Sequence, residues 1–122
     1  MLENSFYSIT NKQVDNQEVI YTIDLNAQHV IFTGHFPDNP VTPGVIQMEI
    51  VKELVTDFIQ KSVKLETMSN CKFLAILNPK ESSTIDIQLT ITQGEDALLK
   101  VNAVFKNTTT SFLKMTAVYS IN

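Results

Sequence analysis

The feature that most restricts the fold of this chain is a group of three prolines within seven residues. Pro37, Pro40 and Pro43 account for three of its four prolines. Proline fixes φ and lacks an amide hydrogen, so this segment can be neither a helix nor an interior strand. It ends as a helix begins, because Thr42 suits an N-cap, Pro43 the first helical position and Gly44 the second. We therefore expect a stiff loop that leads directly into a helix.

A helical pattern follows this loop, from Gly44 to about Lys61. Apolar residues recur there at about 100° per residue and form one wide arc. They are Val45, Met48, Val51, Leu54, Val55, Phe58 and Ile59. A polar stripe of Glu49, Glu53, Thr56 and Gln60 lies opposite, and we interpret Glu53 and Asp57 as a solvated or interface face. Ile46 and Ile50 narrow the stripe, so other structure should cover most of this helix.

The rest of the chain alternates apolar and polar residues at period two, which is typical of strands. The predicted strands are 6–13, 19–25, 68–77, 84–92, 99–106 and 113–121, and residues 26–33 should be irregular or form a short turn. The first two strands should form a hairpin through the turn residues Asp15-Asn16. One long helix with about five to six antiparallel strands indicates an α+β fold. The length of the chain indicates a single domain over residues 1–122.

Charge, hydropathy and cysteine content exclude several classes of function. The net charge is −4 and all nine basic residues are lysines, whereas nucleic-acid-binding proteins usually carry a basic surplus rich in arginine. No apolar run approaches the ~20 residues of a membrane helix, and the N-terminus does not resemble a signal peptide. Cys71 is the single cysteine, and with two histidines it supplies too few ligands for a zinc site. We expect a cytoplasmic protein that binds neither nucleic acid nor a membrane.

Groups suited to acid–base chemistry surround the proline loop. His35 lies in the rigid segment, which suits a general base near neutral pH, although a structural role is equally open. Glu49 lies in the second helical turn, where burial could make it an acid, although membership of the polar stripe is the simpler reading. The amides of Gly44 and Val45 could hold an oxyanion at the helix start. These groups together suit proton removal next to a carbonyl, whereas His29 lacks such a setting and is interpreted as structural.

The sequence around these groups resembles the signature of a known family. Gly34-His35-Phe36-Pro37-x-x-Pro40-x-x-Pro43-Gly44-Val45-x-x-x-Glu49 is similar to the motif of 3-hydroxyacyl-[acyl carrier protein] dehydratases of the FabA/FabZ type. Lys72-Phe73 is similar to the KF strand motif of that family. The resemblance implies the hotdog fold, in which one long central helix is wrapped by a highly curved antiparallel sheet.

The resemblance also implies a mechanism. His35 would remove the C2 proton of a (3R)-3-hydroxyacyl thioester, and Glu49 would act on the departing 3-hydroxyl to give a trans-2-enoyl product. The amides of Gly44 and Val45 would hold the thioester oxygen. The substrate loop would contain Phe36, Pro37 and Pro43. No metal or organic cofactor is implied, because the acyl group is carried on the phosphopantetheine of an acidic acyl carrier protein.

The family assembles each site across a dimer, so the resemblance implies a homodimer; a larger oligomer or a heterodimer with a paralogue stays open. Two differences from the bacterial fatty-acid enzymes favour a specialised acyl or polyene pathway. Ile50-Val51-Lys52-Glu53 replaces the usual small residues and glutamine, and Leu74-Ala75 occupies positions where arginine is common. Two alternatives are a hotdog thioesterase and a non-catalytic partner subunit of a heterodimeric dehydratase.

Overall fold

Six antiparallel strands and one long helix form the described part of the chain, residues 1–34 and 40–122 of a computed structural model. The strands are β1 (Tyr7–Asp15), β2 (Glu18–Leu25), β3 (Val63–Phe73), β4 (Thr84–Gln93), β5 (Leu98–Lys106) and β6 (Ser111–Ile121), and the helix is α1 (Gly44–Ile59). A short 3₁₀ helix, Val30–Gly34, lies where the sequence indicated irregular chain or a turn. The predicted α+β class is confirmed.

All six strands belong to one sheet, in the order β1-β2-β4-β5-β6-β3. β1 and β2 form the predicted hairpin, which turns through Asn16 at φ 56°, a conformation that asparagine tolerates. The chain after the helix crosses to the far side of the sheet, where β3 pairs with β6. β1 and β3 are therefore the two edges of the sheet.

The core lies between the helix and the inner face of the sheet. Alternate residues of β2, β4, β5 and β6 are buried, as the period-two pattern predicts. The helix contributes apolar side chains that are fully buried: Ile50, Val51, Leu54 and Val55. The sheet is therefore half-buried, with a polar outer face, and the middle of the helix is covered as expected.

The third strand was predicted about five residues too late, at 68–77, whereas β3 is Val63–Phe73. The alternation of apolar and polar residues is weak in this strand, because β3 is an edge strand whose side chains are mostly exposed. The ladder ends where the amides of Leu74 and Ala75 both donate to the carbonyl of Phe112, at 2.9 and 3.4 Å. The carbonyl of Leu77 then accepts the amide of Thr42 at 2.9 Å, so this segment joins the loop before the helix instead of the sheet.

Glu53 is the main departure from the predicted solvated face of the helix. It is 7% exposed, and its carboxylate accepts hydrogen bonds from the amides of Leu2 and Glu3, at 2.8 and 3.0 Å, and from the hydroxyl of Tyr7 at 3.1 Å. Burial, followed by the negative charge of Glu53, raises the pKa of Tyr7. The prediction was wrong because the helical pattern alone does not show that the N-terminal segment covers Glu53 and that its amides bind this carboxylate.

Asp57 lies one turn further along the helix and links it to the first hairpin. It accepts the hydroxyl of Tyr21 at 2.5 Å and pairs with the Nζ of Lys12 at 3.3 Å. Burial and this hydrogen bond raise the pKa of Tyr21. The two carboxylates therefore attach the N-terminal third of the sheet to the helix.

We predict that Glu53→Ala lowers the free energy of unfolding by about 3 kcal/mol, because it leaves three donors without their acceptor. Urea denaturation would measure the change. Glu49→Ala is the matched control, since it removes the same group from an exposed position one turn away and should cost no more than about 0.5 kcal/mol. Equal costs at the two positions would contradict the assigned role of Glu53.

Candidate active site

The helix begins one residue later than the sequence indicated. Pro43 is the N-cap, with an extended ψ of 148°, and Gly44 is the first helical residue. The carbonyl of Pro43 accepts the amide of Gln47 at 3.1 Å, which is the first bond of the helix. The prediction of Thr42 as N-cap is wrong. The hydrogen bond from the amide of Thr42 to the carbonyl of Leu77 holds Thr42 outside the helix.

The amides of Gly44 and Val45 are free of hydrogen bonds to the described residues, whereas the next amide, of Ile46, donates to the carbonyl of Pro43 at 3.1 Å. Free N–H groups in the first turn carry the partial positive charge of the helix dipole. They are therefore suited to an oxygen atom that gains negative charge. Their part in binding a substrate stays a prediction.

The ring of Phe73 packs directly against Gly44. A Cβ atom on Gly44 would lie 2.6 Å from Cζ of Phe73, closer than carbon atoms approach one another. Phe73 is the last residue of β3 and is 53% exposed, so one side of the ring contacts the helix start and much of it faces outward. Gly44 was predicted only as a point of ligand access, so its contact with Phe73 was not foreseen. The KF motif was the only signal for it.

A shallow cleft of about 240 Å³ lies beside the first two turns of the helix. Its lining residues are Val45, Met48, Glu49, Lys52, Leu65 and Tyr119. Val45 is 72% exposed, so the predicted buried arc is wrong at its first member. Glu49 is exposed in the single chain, which agrees with its membership of the polar stripe and not with the alternative in which burial desolvates it. The structure therefore places Glu49 on an open surface with apolar neighbours.

Tyr119 was predicted only as a strand residue, yet it lines the same cleft as Glu49. Burial, followed by the negative charge of Glu49, raises the pKa of Tyr119 to about 12. The hydroxyl is consequently protonated at neutral pH. The sequence could not indicate this neighbour, because strand β6 and the helix are brought together only by the tertiary fold.

Two polar side chains are buried at the helix start. The Nε2 of Gln47 donates to the carbonyl of Thr42 at 3.1 Å. Thr42 Oγ1 and Gln47 Oε1 are buried with no partner among the described residues. Such atoms are rare in native proteins. The helical pattern gave no sign that Gln47 is buried, because the sequence places a polar residue inside an apolar arc.

Three predicted site residues, His35, Phe36 and Pro37, lie outside the described residues, and their roles stay predictions. His29 has the structural setting expected of it, because its Nδ1 accepts the amide of Ile31 at 3.1 Å and its ring packs on that of Phe6. Within residues 1–34 and 40–122, no group of three or more potential ligands could hold a metal ion. No helix in these ranges is long and apolar enough to cross a membrane.

Sequence relatives agree with the motif around the helix start. The model of a family described as ApeI-like, ApeI dehydratase, matches residues 11–112. The chain is 30% identical over 99 residues to the 3-hydroxyacyl-[acyl-carrier-protein] dehydratase FabZ of Rickettsia canadensis, covering 75% of this chain and 68% of that protein. It is 34% identical over 83 residues to the FabZ of Rickettsia bellii, covering 62% and 56%. The chain therefore spans between half and about two thirds of these relatives.

Solved structures share the architecture at low sequence identity. The dehydratase heterocomplex ApeI:P from Xenorhabdus doucetiae is 18% identical with a TM-score of 0.73, covering 92% of this chain and 96% of that one. A thioesterase, SAV0944 of Staphylococcus aureus, is 10% identical with a TM-score of 0.64, covering 95% and 93%. At these identities the likeness establishes the fold alone. The predicted hotdog fold is confirmed.

We predict that Gly44→Ala lowers the free energy of unfolding by about 1–2 kcal/mol, because the new methyl group must displace the ring of Phe73. In a Phe73→Ala background the same change should be neutral or stabilising, since alanine is favoured over glycine in helices by up to about 1 kcal/mol. Denaturation of the four proteins of this cycle measures the coupling. The same cost in both backgrounds would show that the ring does not restrict Gly44.

Tyr119 should be the first tyrosine to ionise on alkaline titration, because burial raises the pKa values of Tyr7 and Tyr21 further. Its pKa is about 12 in the folded chain and about 10 when unfolded, so its contribution to stability is complete below pH 10 and lost between about pH 10 and 12. Glu49→Gln should lower the first midpoint, measured by ultraviolet absorbance. An unchanged midpoint would mean that the charge of Glu49 does not act on Tyr119. Loss of the first titration step in Tyr119→Phe would assign that step to Tyr119.

Proposed function

We propose, from the premise that the chain belongs to the ApeI-like family of dehydratases, that it removes water from (3R)-3-hydroxyacyl thioesters carried on an acyl carrier protein. The product is a trans-2-enoyl thioester. One observation carries the proposal: the match to residues 11–112 contains the whole proline loop and the helix with its glutamate. The names of the FabZ relatives support the same substrate class.

In the proposed reaction, His35 takes the proton from C2 while Glu49 protonates the hydroxyl on C3, which leaves as water. The electrons of the broken C2–H bond form the C2=C3 double bond, and the C3–O bond breaks. Negative charge develops on the thioester oxygen, and in this proposal the amides of Gly44 and Val45 stabilise it; their freedom from hydrogen bonds to the described residues supports this role. The mechanism uses side chains and backbone of the protein and no metal or organic cofactor. Pro43 fixes the direction in which these amides point.

We propose that the working unit is a dimer with sites shared between subunits. Glu49, Val45 and Leu65 are exposed around an open cleft, although an acid–base site works best when water is kept out. The adjoining strand, β3, is an 11-residue edge with unpaired backbone groups. A second copy of the chain paired along this edge would cover the cleft, and its His35 could then face Glu49.

We predict that His35→Ala abolishes formation of the enoyl thioester, with a loss of at least about a thousandfold in kcat, because the base is removed. The reaction can be followed by the ultraviolet absorbance of the conjugated product. His29→Gln is the matched histidine control and should keep near-normal activity, since His29 packs against Phe6 away from the cleft. Full turnover by the His35→Ala protein, with its fold retained, would refute the proposed base.

Glu49→Gln should lower kcat by about a hundredfold or more, because an amide cannot protonate the departing hydroxyl. The fold should be unaffected, since the side chain is exposed in the single chain. Glu95→Gln in the turn between β4 and β5 makes the same chemical change away from the cleft and should be silent. A full rate with Glu49→Gln would show that this carboxylate has no catalytic role and is only part of a polar surface.

The same assay separates two other functions. Free acid in place of enoyl thioester would identify a thioesterase, the name carried by the Staphylococcus aureus neighbour. A purified protein that is inactive until a second hotdog subunit is added would be a partner subunit. That outcome has its own support, because the Xenorhabdus doucetiae neighbour is a dehydratase heterocomplex.

A further inference from the structure

Tyr119 is almost entirely buried, yet its hydroxyl group makes no hydrogen bond within the described part of the chain. The residue is 2% exposed and belongs to the inner face of β6. The chain has three tyrosines, and the hydroxyls of the other two donate to carboxylates of the helix. Tyr7 donates to Glu53 at 3.1 Å, and Tyr21 donates to Asp57 at 2.5 Å. Tyr119 is therefore the one buried tyrosine whose donor is still available to a ligand.

The hydroxyl of Tyr119 opens onto the cleft beside the helix. Among the described residues, only Thr42 Oγ1 and Gln47 Oε1 are side-chain polar atoms that are both fully buried and without a partner. The hydroxyl of Tyr119 also lacks a partner but is not one of these atoms, so it is accessible from outside the core. Tyr119 lines the cleft of about 240 Å³ together with Glu49. The small exposed part of this side chain therefore presents a hydrogen-bond donor to the cleft.

The fold holds this donor in a fixed place. β6 is paired on both sides, and its register places Tyr119 opposite Leu65 of β3 and Leu99 of β5. The hydroxyl also keeps its proton at neutral pH, because burial and then the charge of Glu49 raise its pKa to about 12. A fixed donor of this kind can bind an acceptor atom without giving up its proton and without a cost of reorganisation.

Tyr119 and Glu49 line one cleft but are not hydrogen-bonded to each other. One oxygen atom placed between them can therefore accept a hydrogen bond from both. In the proposed reaction, the oxygen on C3 takes a proton from Glu49 as the C3–O bond breaks. That oxygen gains negative charge during bond breaking, so a second donor stabilises the transition state more than the bound substrate.

We propose that the hydroxyl of Tyr119 donates a hydrogen bond to the 3-hydroxyl oxygen of the acyl thioester and holds it for protonation by Glu49. The inference rests on the proposed function and adds a catalytic residue to its site. Tyr119 keeps its proton throughout, and the proton that leaves in the water molecule comes from Glu49. Two donors on one oxygen also restrict the orientation of C3, which brings its C–O bond into a single reactive geometry.

We predict that Tyr119→Phe lowers kcat for enoyl thioester formation by about tenfold, because it removes one hydrogen bond to the departing oxygen. The ring and its packing are kept. Exchange of the C2 hydrogens of butyryl-N-acetylcysteamine with deuterated water, followed by mass spectrometry, uses the base and the amides but involves no 3-oxygen. This exchange should be unchanged in Tyr119→Phe. Tyr21→Phe removes the same atom from a tyrosine outside the cleft and should affect neither reaction.

Binding to the His35→Ala protein tests the contact without turnover. The N-acetylcysteamine thioesters of 3-hydroxybutyrate and butyrate differ by one hydroxyl group, and their affinities can be compared by NMR titration. The 3-hydroxy compound should bind about tenfold more tightly, and this advantage should be lost when Tyr119→Phe is added, because the donor no longer has its acceptor. Tyr21→Phe in the same background should keep the advantage.

Full dehydration by Tyr119→Phe, or equal losses in dehydration and C2 exchange, would overturn the proposed contact. So would the absence of any advantage for the 3-hydroxy compound, or an advantage that survives Tyr119→Phe. A wild type that forms no enoyl thioester but shows the binding advantage, lost in Tyr119→Phe, would refute the proposed function and support the contact. The two proposals can therefore fail separately.

Discussion

The candidate site depends on how the start of the helix is fixed to the segment that follows β3. The amide of Thr42 donates to the carbonyl of Leu77, and the ring of Phe73 rests on Gly44. These two contacts hold both sides of the N-cap, Pro43, whose extended backbone sets the direction of the helix. The free amides, the cleft and Glu49 are all placed relative to that start. A glycine at this position is required less for its flexibility than for the space it leaves to the ring.

Sequence patterns predicted the strands correctly where apolar residues alternate with polar ones because one face of the strand is buried. β2, β4, β5 and β6 alternate between core and solvent, so their apolar residues indicate both the strand and its inner face. β3 was misplaced because it pairs on one side only and exposes most of its side chains on both faces. Its position is determined by backbone hydrogen bonds to β6, which do not produce an alternating pattern of apolar side chains in the sequence. An edge strand is therefore the element that single-sequence reasoning locates least well.

The same distinction applies to the site. Gly44, Val45 and Glu49 could be singled out because prolines and a helix start restrict the local backbone. Phe73 was indicated only by the KF motif and Tyr119 by no motif, because both reach the site through pairings between distant segments. Glu53 shows the limit most clearly, since it belongs to the same polar stripe as Glu49. One is buried by amides from the N-terminus and the other is open, and only the tertiary fold separates a structural carboxylate from a candidate acid.

Edge strand β3 connects the helix start to the edge of the sheet, because alternation along a strand sends neighbouring side chains to opposite faces. Phe73 contacts the helix start at Gly44, and the side chain of Lys72 points to the opposite face of the strand. The backbone edge between them is available to a second copy of the chain. One short piece of strand therefore both holds the helix start and leaves an unpaired backbone edge beside the cleft.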